Sequence, residues 1–141
     1  MKKLILMSLV AVFSGCVYGQ KVNEKDIPSA VKAALHKQYP AVSAKWVKED
    51  GNYEANFTSQ NKEMSVLLSP AGSLLETETE IATSALPASV KMYVQKNMKD
   101  AKIKEASIIV DASGKKTYEA EVNGKDWVFD EKGNFIKSTK D

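Results

Sequence analysis

The chain has 141 residues, 43% of them hydrophobic and 27% charged, which is room for one ordinary domain with a core of its own. Its formal charge of +2 includes Lys2 and Lys3; without them 18 basic residues face 18 acidic ones, so no basic surplus remains to draw in nucleic acid. The single cysteine, Cys16, excludes a disulfide framework and a Cys-ligated metal site.

Met1-Lys2-Lys3 is a short basic segment, Leu4 to Phe13 is apolar except for Ser8, and the small residues Ser14 and Gly15 follow. This is a secretory signal of bacterial type, too short to span a bilayer as a stable helix. Two processing routes are open. Cleavage after Val17-Tyr18-Gly19 leaves Gln20 first, with signal 1–19 and domain 20–141, and gives a soluble periplasmic or secreted protein. Phe13-Ser14-Gly15-Cys16 also resembles a lipobox, in which Cys16 is lipidated and tethers the protein to the envelope. A membrane contact arises only on the second route.

Val22 to Asp26 reads as a polar, frayed lead-in. Ile27-Pro28-Ser29 then opens a helix with Pro28 in its first turn, and Ile27, Val31, Leu35 and Tyr39 recur every four residues as one apolar stripe that Pro40 ends. Strands are expected at Val42–Glu49, Tyr53–Phe57 and Glu63–Ser69, with turns at Asp50-Gly51-Asn52 and Gln60-Asn61. A turn ending at Gly72 leads into a further strand containing Glu76, Glu78 and Glu80.

The same device returns at Leu86-Pro87-Ala88, where Leu86, Val90, Val94 and Met98 repeat the first stripe at a shift of 59 residues. Strands follow at Ile103–Val110, Thr117–Val122, Asp126–Asp130 and Asn134–Lys137, with turns at Ala112–Lys115, Asn123-Gly124 and Gly133. Tyr118-Glu119-Ala120 matches Tyr53-Glu54-Ala55. The hairpin Ser65–Glu76 is likewise matched by Asp126–Lys137. A chain this short buries little in either copy alone. The expected fold is therefore α+β: two tandem helix-plus-hairpin repeats, about 26–80 and 85–137, sharing one antiparallel sheet with the helices on one face.

These motifs resemble the PepSY-like proteins of Bacteroidetes, also described as β-lactamase-inhibitor-like. Ile27-Pro28, Tyr39-Pro40, Tyr53-Glu54 and Gly72 carry the resemblance in the first copy, and Leu86-Pro87, Tyr118-Glu119, Phe129-Asp130 and Gly133 in the second. Met98-Lys99 replaces the Tyr-Pro pair, and Ser69 stands where the second copy has Asp130. The resemblance implies an exported α+β protein with tandem copies and no settled activity. Its likeness to β-lactamase inhibitory protein is one of fold.

No catalytic set assembles. His36 is the only histidine and reads as a surface residue beside the helical stripe. Glu54 and Glu119 hold equivalent places, which duplication alone accounts for without acid–base chemistry. Glu76, Glu78 and Glu80 align on one strand face; the row reads as a solvated face that discourages edge pairing, with Ca²⁺ or a basic partner as the functional alternative. Trp46, Tyr53 and Tyr118 are candidates for an interaction surface, since aromatic anchors dominate interfaces.

The expected function is that of a non-enzymatic envelope protein, without a cofactor, that binds or inhibits a protein or peptide. The alternative is a small-ligand or Ca²⁺ carrier using Glu76, Glu78 and Glu80.

Overall fold

The computed structural model describes residues 19–139; the signal segment up to Tyr18, with Cys16 and the lipobox, lies outside the described residues. The described residues form one nine-stranded sheet in which each strand pairs antiparallel with the next. The strands are β1 (Gln20–Val22), β2 (Lys45–Glu49), β3 (Asn52–Ser59), β4 (Lys62–Leu68), β5 (Leu74–Ile81), β6 (Ile103–Asp111), β7 (Lys116–Val122), β8 (Lys125–Asp130) and β9 (Phe135–Ser138). Helix α1 (Ser29–Gln38) joins β1 to β2, and α2 (Ala88–Asn97) joins β5 to β6.

The turns dictate the meander. Asp50-Gly51, Gln60-Asn61 and Asn123-Gly124 each put both residues at positive φ, the geometry that matches the right-handed twist of paired strands. The other hairpins use a longer turn three times. In Ser69–Gly72, Asp111–Gly114 and Asp130–Gly133 the closing glycine N–H donates to the first residue's carbonyl, at 2.8, 2.9 and 2.8 Å. The first side chain then holds the turn from inside. Asp130 Oδ1 accepts from the N–H groups of Lys132 and Asn134, Asp111 Oδ1 accepts from those of Ser113 and Lys115, and Ser69 Oγ accepts only from the N–H of Ser73.

Gly72 and Gly133 have a second reason to be glycine. At φ +83° and +81° each presses against the start of a helix: a Cβ on Gly72 would stand 2.6 Å from the Ala30 carbonyl oxygen, and one on Gly133 would overlap Ser89. Ser89 Oγ also donates to the Lys132 carbonyl at 2.8 Å, tying the last hairpin to α2.

Pairing fixes the faces. Phe57, Met64, Thr79, Ile108, Tyr118 and Phe129 lie side by side across β3 to β8, so their side chains share a face. Both helices cover that face. Val31 and Leu35 of α1, with Ile27, pack on Trp46, Tyr53, Ala55, Phe57, Val66 and Leu68, while Val90 and Val94 of α2, with Leu86, pack on Ala106, Ala120, Val122 and Phe129. There are thus two core clusters on one sheet.

The structure departs from expectation at four places. Helix α1 is regular only from Ser29, because Pro28 at ψ 142° is still extended and stands just outside as the cap. β2 begins at Lys45, shorter than the strand from Val42. The stretch from Val22 to Asp26 read as frayed is ordered: Val22 closes strand β1 (Gln20–Val22), paired with β2, and Glu24–Asp26 is a 3₁₀ turn. The repeat itself carried that signal, since Val22 and Glu24–Asp26 correspond to Ile81 and the 3₁₀ turn Thr83–Ala85 at the same 59-residue shift. Finally, the register slips past Leu75 and past Ile136, a bulge at the same place in each copy. Bulges sharpen local twist and bend the strands that carry them.

Candidate functional site

The opposite face of the sheet has no helix over it. Strand alternation places Val47, Glu54, Leu67 and Glu76 in one directly paired row, Asn56, Ser65, Glu78, Ile109 and Thr117 in the next, and Glu80, Ser107, Glu119, Val128 and Lys137 in a third. Glu54 on β3, Glu78 on β5 and Glu119 on β7 form a diagonal, each step crossing two strands and advancing one row. Apolar Leu67 on β4 and Ile109 on β6 lie between them, and Val47 on β2 and Val128 on β8 flank the two ends.

This face is shielded although no element covers it. Glu78 is 1% exposed and Glu54 6%. A sheet of nine strands twists, and the paired bulges sharpen that twist, so its bare face is not flat and is called the trough below.

The carboxyl groups in the trough are strained electrostatically. Burial, then the charge of Glu78 and then that of Glu49, pushes Glu54 up to about 7; hydrogen bonds with Ser65 and Asn56 offset this only in part. Burial followed by Glu78 and Asp111 raises Glu76 to about 7. Glu119 rises furthest, to about 9, from burial and then from Glu78, Asp126 and Glu76, with Lys137 opposing. Asp126 is raised to about 6 by burial and by Glu121, Glu78 and Glu105. Ser107 Oγ donates to Glu78 Oε1 at 2.7 Å, but Glu78 Oε2 and Glu54 Oε1 are buried with no hydrogen-bond partner. An unsatisfied buried acceptor costs about 1–3 kcal/mol, so this arrangement opposes folding.

The predicted site residues separate into two groups. Glu76, Glu78 and Glu80 do share one face of β5, but β5 is the middle strand of nine and Glu78 is buried, so the row is not a solvated face that guards an edge. They do not converge as metal ligands: among the described residues no three acidic or histidine side chains gather around one cation position. Trp46 and Tyr53 lie in the core under α1, 5% and 9% exposed, and Tyr118 packs half-buried against the second cluster, because each points to the helix face where burial of large apolar surface is favoured. None of the three presents its ring in the trough. His36 is exposed on α1, on the far side of the sheet from the trough.

Sequence reasoning passed over Glu54 and Glu119 as the trace of duplication and did not connect Ser107, Asp126 or Lys137 to any site. The usable signal was in Tyr-Glu-Ala itself. When the flanking Tyr and Ala face a helix-covered core, the Glu between them points to the sheet's other face at the same level.

A meander of two helix-plus-four-strand copies, helices on one face and a bare trough on the other, defines a tandem-repeat α+β sheet module. The chain belongs to the family described as "Putative beta-lactamase-inhibitor-like, PepSY-like", whose profile matches residues 17–76 and again residues 51–137. Comparison with curated proteins gives no match. Solved structures share the fold: a "putative periplasmic" protein of Bacteroides eggerthii at TM-score 0.71 and 18% identity, covering 79% of this chain and 87% of its own. A DUF2874 family protein of Bacteroides uniformis is similar at TM-score 0.70 and 17% identity, over 79% and 88% of the two chains. A BLIP-like protein of Bacteroides fragilis follows at TM-score 0.61 and 24% identity, over 79% and 85%.

Proposed function

We propose that this is an exported cell-envelope module that works by binding a protein or peptide in the open trough of its sheet, with no catalysis of its own. The observation that carries this reading is the pair of buried, unpartnered carboxylate oxygens on Glu54 and Glu78, in a face left bare while both helices cover the other. Such groups oppose folding, and a partner that supplies donors relieves them. Export is supported by the leader at Met1–Gly19 and by the periplasmic description given to the B. eggerthii protein of the same fold. Binding rather than catalysis is supported by the exposed His36, which lies across the sheet from the carboxylates and has no nucleophile marked beside it.

Photo-crosslinking in the intact envelope tests the reading. A crosslinking residue at Ile109, in the trough, is expected to yield defined protein adducts that the same residue at His36 does not. Identical adduct patterns from both positions, or none from Ile109, would contradict it.

A further inference from the structure

Each repeat places a glutamate on the trough face at its equivalent position, and the central strand adds a third between them. We infer that the diagonal Glu54, Glu78 and Glu119 is a docking site for a basic polypeptide segment, whose Arg or Lys side chains enter the trough and take the carboxylate oxygens that the fold leaves unpaired. The inference rests on the open-trough reading and names the chemistry of the partner.

Charge complementarity is the first argument. With Lys2 and Lys3 set aside, acidic and basic residues balance over the chain, yet the trough is acidic at its centre: Glu54, Glu76, Glu78, Glu119 and Asp126 act on one another there, and Lys137 offsets Glu76 and Glu119. The other lysines paired onto this face, Lys21 and Lys45, are exposed on the outer strands β1 and β2, and Lys104 is held by Glu105 and Glu121. The second argument is satisfaction. Glu78 already has Ser107 on Oε1, while its buried Oε2 has no partner among the described residues, so a donor from outside reaches it only as the neighbouring side chains part. Guanidinium groups bond carboxylates through two parallel N–H donors and carry little hydration, which suits a recessed acceptor. The third argument is composition. Leu67 and Ile109 between the acids, with Val47 and Val128 beside the outer two, give apolar floor for the stems of long cationic side chains.

Docking couples to proton release. The groups facing Glu119 are Glu76 and Glu78 from β5, Asp126 from β8 and Lys137 from β9, and together with burial they leave it protonated at neutral pH. A cation beside it favours the charged form, so affinity for the basic segment rises with pH between about 6 and 9.

The test uses the natively processed protein and a capped synthetic nonapeptide alternating Arg with Val. A second peptide with citrulline in place of each Arg keeps shape and hydrogen bonds but has no charge, and CaCl₂ alone is titrated in parallel. Calorimetry is expected to show the Arg peptide binding at least tenfold more tightly than the citrulline peptide, with protons released and affinity falling as salt rises. The double variant E54Q/E78Q is expected to lose at least tenfold. Equal binding of the two peptides by the wild type overturns the inference without reference to any variant, as does unchanged affinity in a folded E54Q/E78Q protein. Heat from CaCl₂ that abolishes peptide binding overturns it in favour of a cation site. If the Arg peptide does not bind while Ile109 still yields defined envelope adducts, this inference fails and the open-trough reading stands; if neither occurs, both fail.

Discussion

The two repeats fold alike but fill their cores from different elements. In the first, bulk comes from β2 and β3: Trp46, Tyr53 and Phe57 are buried under a helix that offers only Ala34, Val31 and Leu35, and the Tyr39 ring meets Phe57 at 4.9 Å. In the second, the positions matching Trp46 and Phe57 in the pairing are Ala106 and Val122, and the bulk moves to α2, β8 and β9. Tyr93 stands where the first helix has Ala34, and its ring contacts Phe129 at 5.4 Å and stacks on Phe135 at 5.0 Å. A core sums volumes rather than residues, so large and small exchange across the helix–sheet interface while the fold survives. The exchange leaves a mark: the ring contacts of the second copy reach the edge strand β9, where Phe135 is 38% exposed. On the other face the copies have not diverged in this way, and Glu54 and Glu119 keep their equivalent places.

The largest expected effect asks whether the two cores are equally needed. Phe129→Ala removes a fully buried ring that both α2 and the edge aromatics lean on, and Trp46→Ala does the same for α1, each costing about 3–5 kcal/mol in denaturant unfolding. If only one of the two lowers the single unfolding midpoint, the copies are separate folding units.

Next come the helix-docking glycines. Gly72→Ala and Gly133→Ala combine a left-handed backbone with collision against Ala30 or Ser89 and should cost about 2–3 kcal/mol; Gly114→Ala has the same φ with open space around it and should cost only about 1 kcal/mol. Equal losses at all three would show that conformation, not contact with the helices, sets the requirement.

The acidic face makes a pH prediction of similar size. Glu119 has a folded pKa far above the 4.5 of an ordinary Glu, so the folded state holds its proton more tightly than the unfolded one. Its contribution is fully favourable below pH 4.5 and is lost as pH rises toward 9, and Glu54 acts in the same direction up to about 7. Thermal unfolding should therefore show stability falling from pH 5 to pH 9, and Glu119→Gln should flatten that slope and add about 2 kcal/mol at pH 8. A slope of the opposite sign would break the equivalence drawn between the two glutamates.

The smallest effect tests the turns. Ser69→Asp installs in the first copy the side chain that Asp130 supplies in the second, where it accepts from two backbone N–H groups and from Asn134 Nδ2. A rise of about 1–2 °C in Tm is expected, corresponding to a few tenths of a kcal/mol.

Much of the architecture was legible because it was written twice. The helical stripes, the Asp50-Gly51 and Asn123-Gly124 turns and the glycines after Ser69 and Asp130 are local devices, each with a chemical reason visible in a few residues. β1 was missed because three polar-flanked residues carry no period of their own and become a strand only through β2. The aromatics were misplaced for a related reason: alternation tells that Trp46 and Val47 face opposite ways, but which face the helix covers is settled by packing. The shielding of the bare face was illegible altogether: alternating glutamates read as solvated, and Glu54 and Glu78 become buried only within nine assembled strands.

Carboxyl ¹³C NMR titration of the free protein bears most directly on whether the trough holds desolvated, uncompensated glutamates. Glu54 is expected to titrate near 7 and Glu119 well above it, with both midpoints dropping when the Arg peptide is added. Midpoints near 4.5 for both in the free protein would mean that water or an internal cation already satisfies them, and the trough would have no unmet charge to offer a partner.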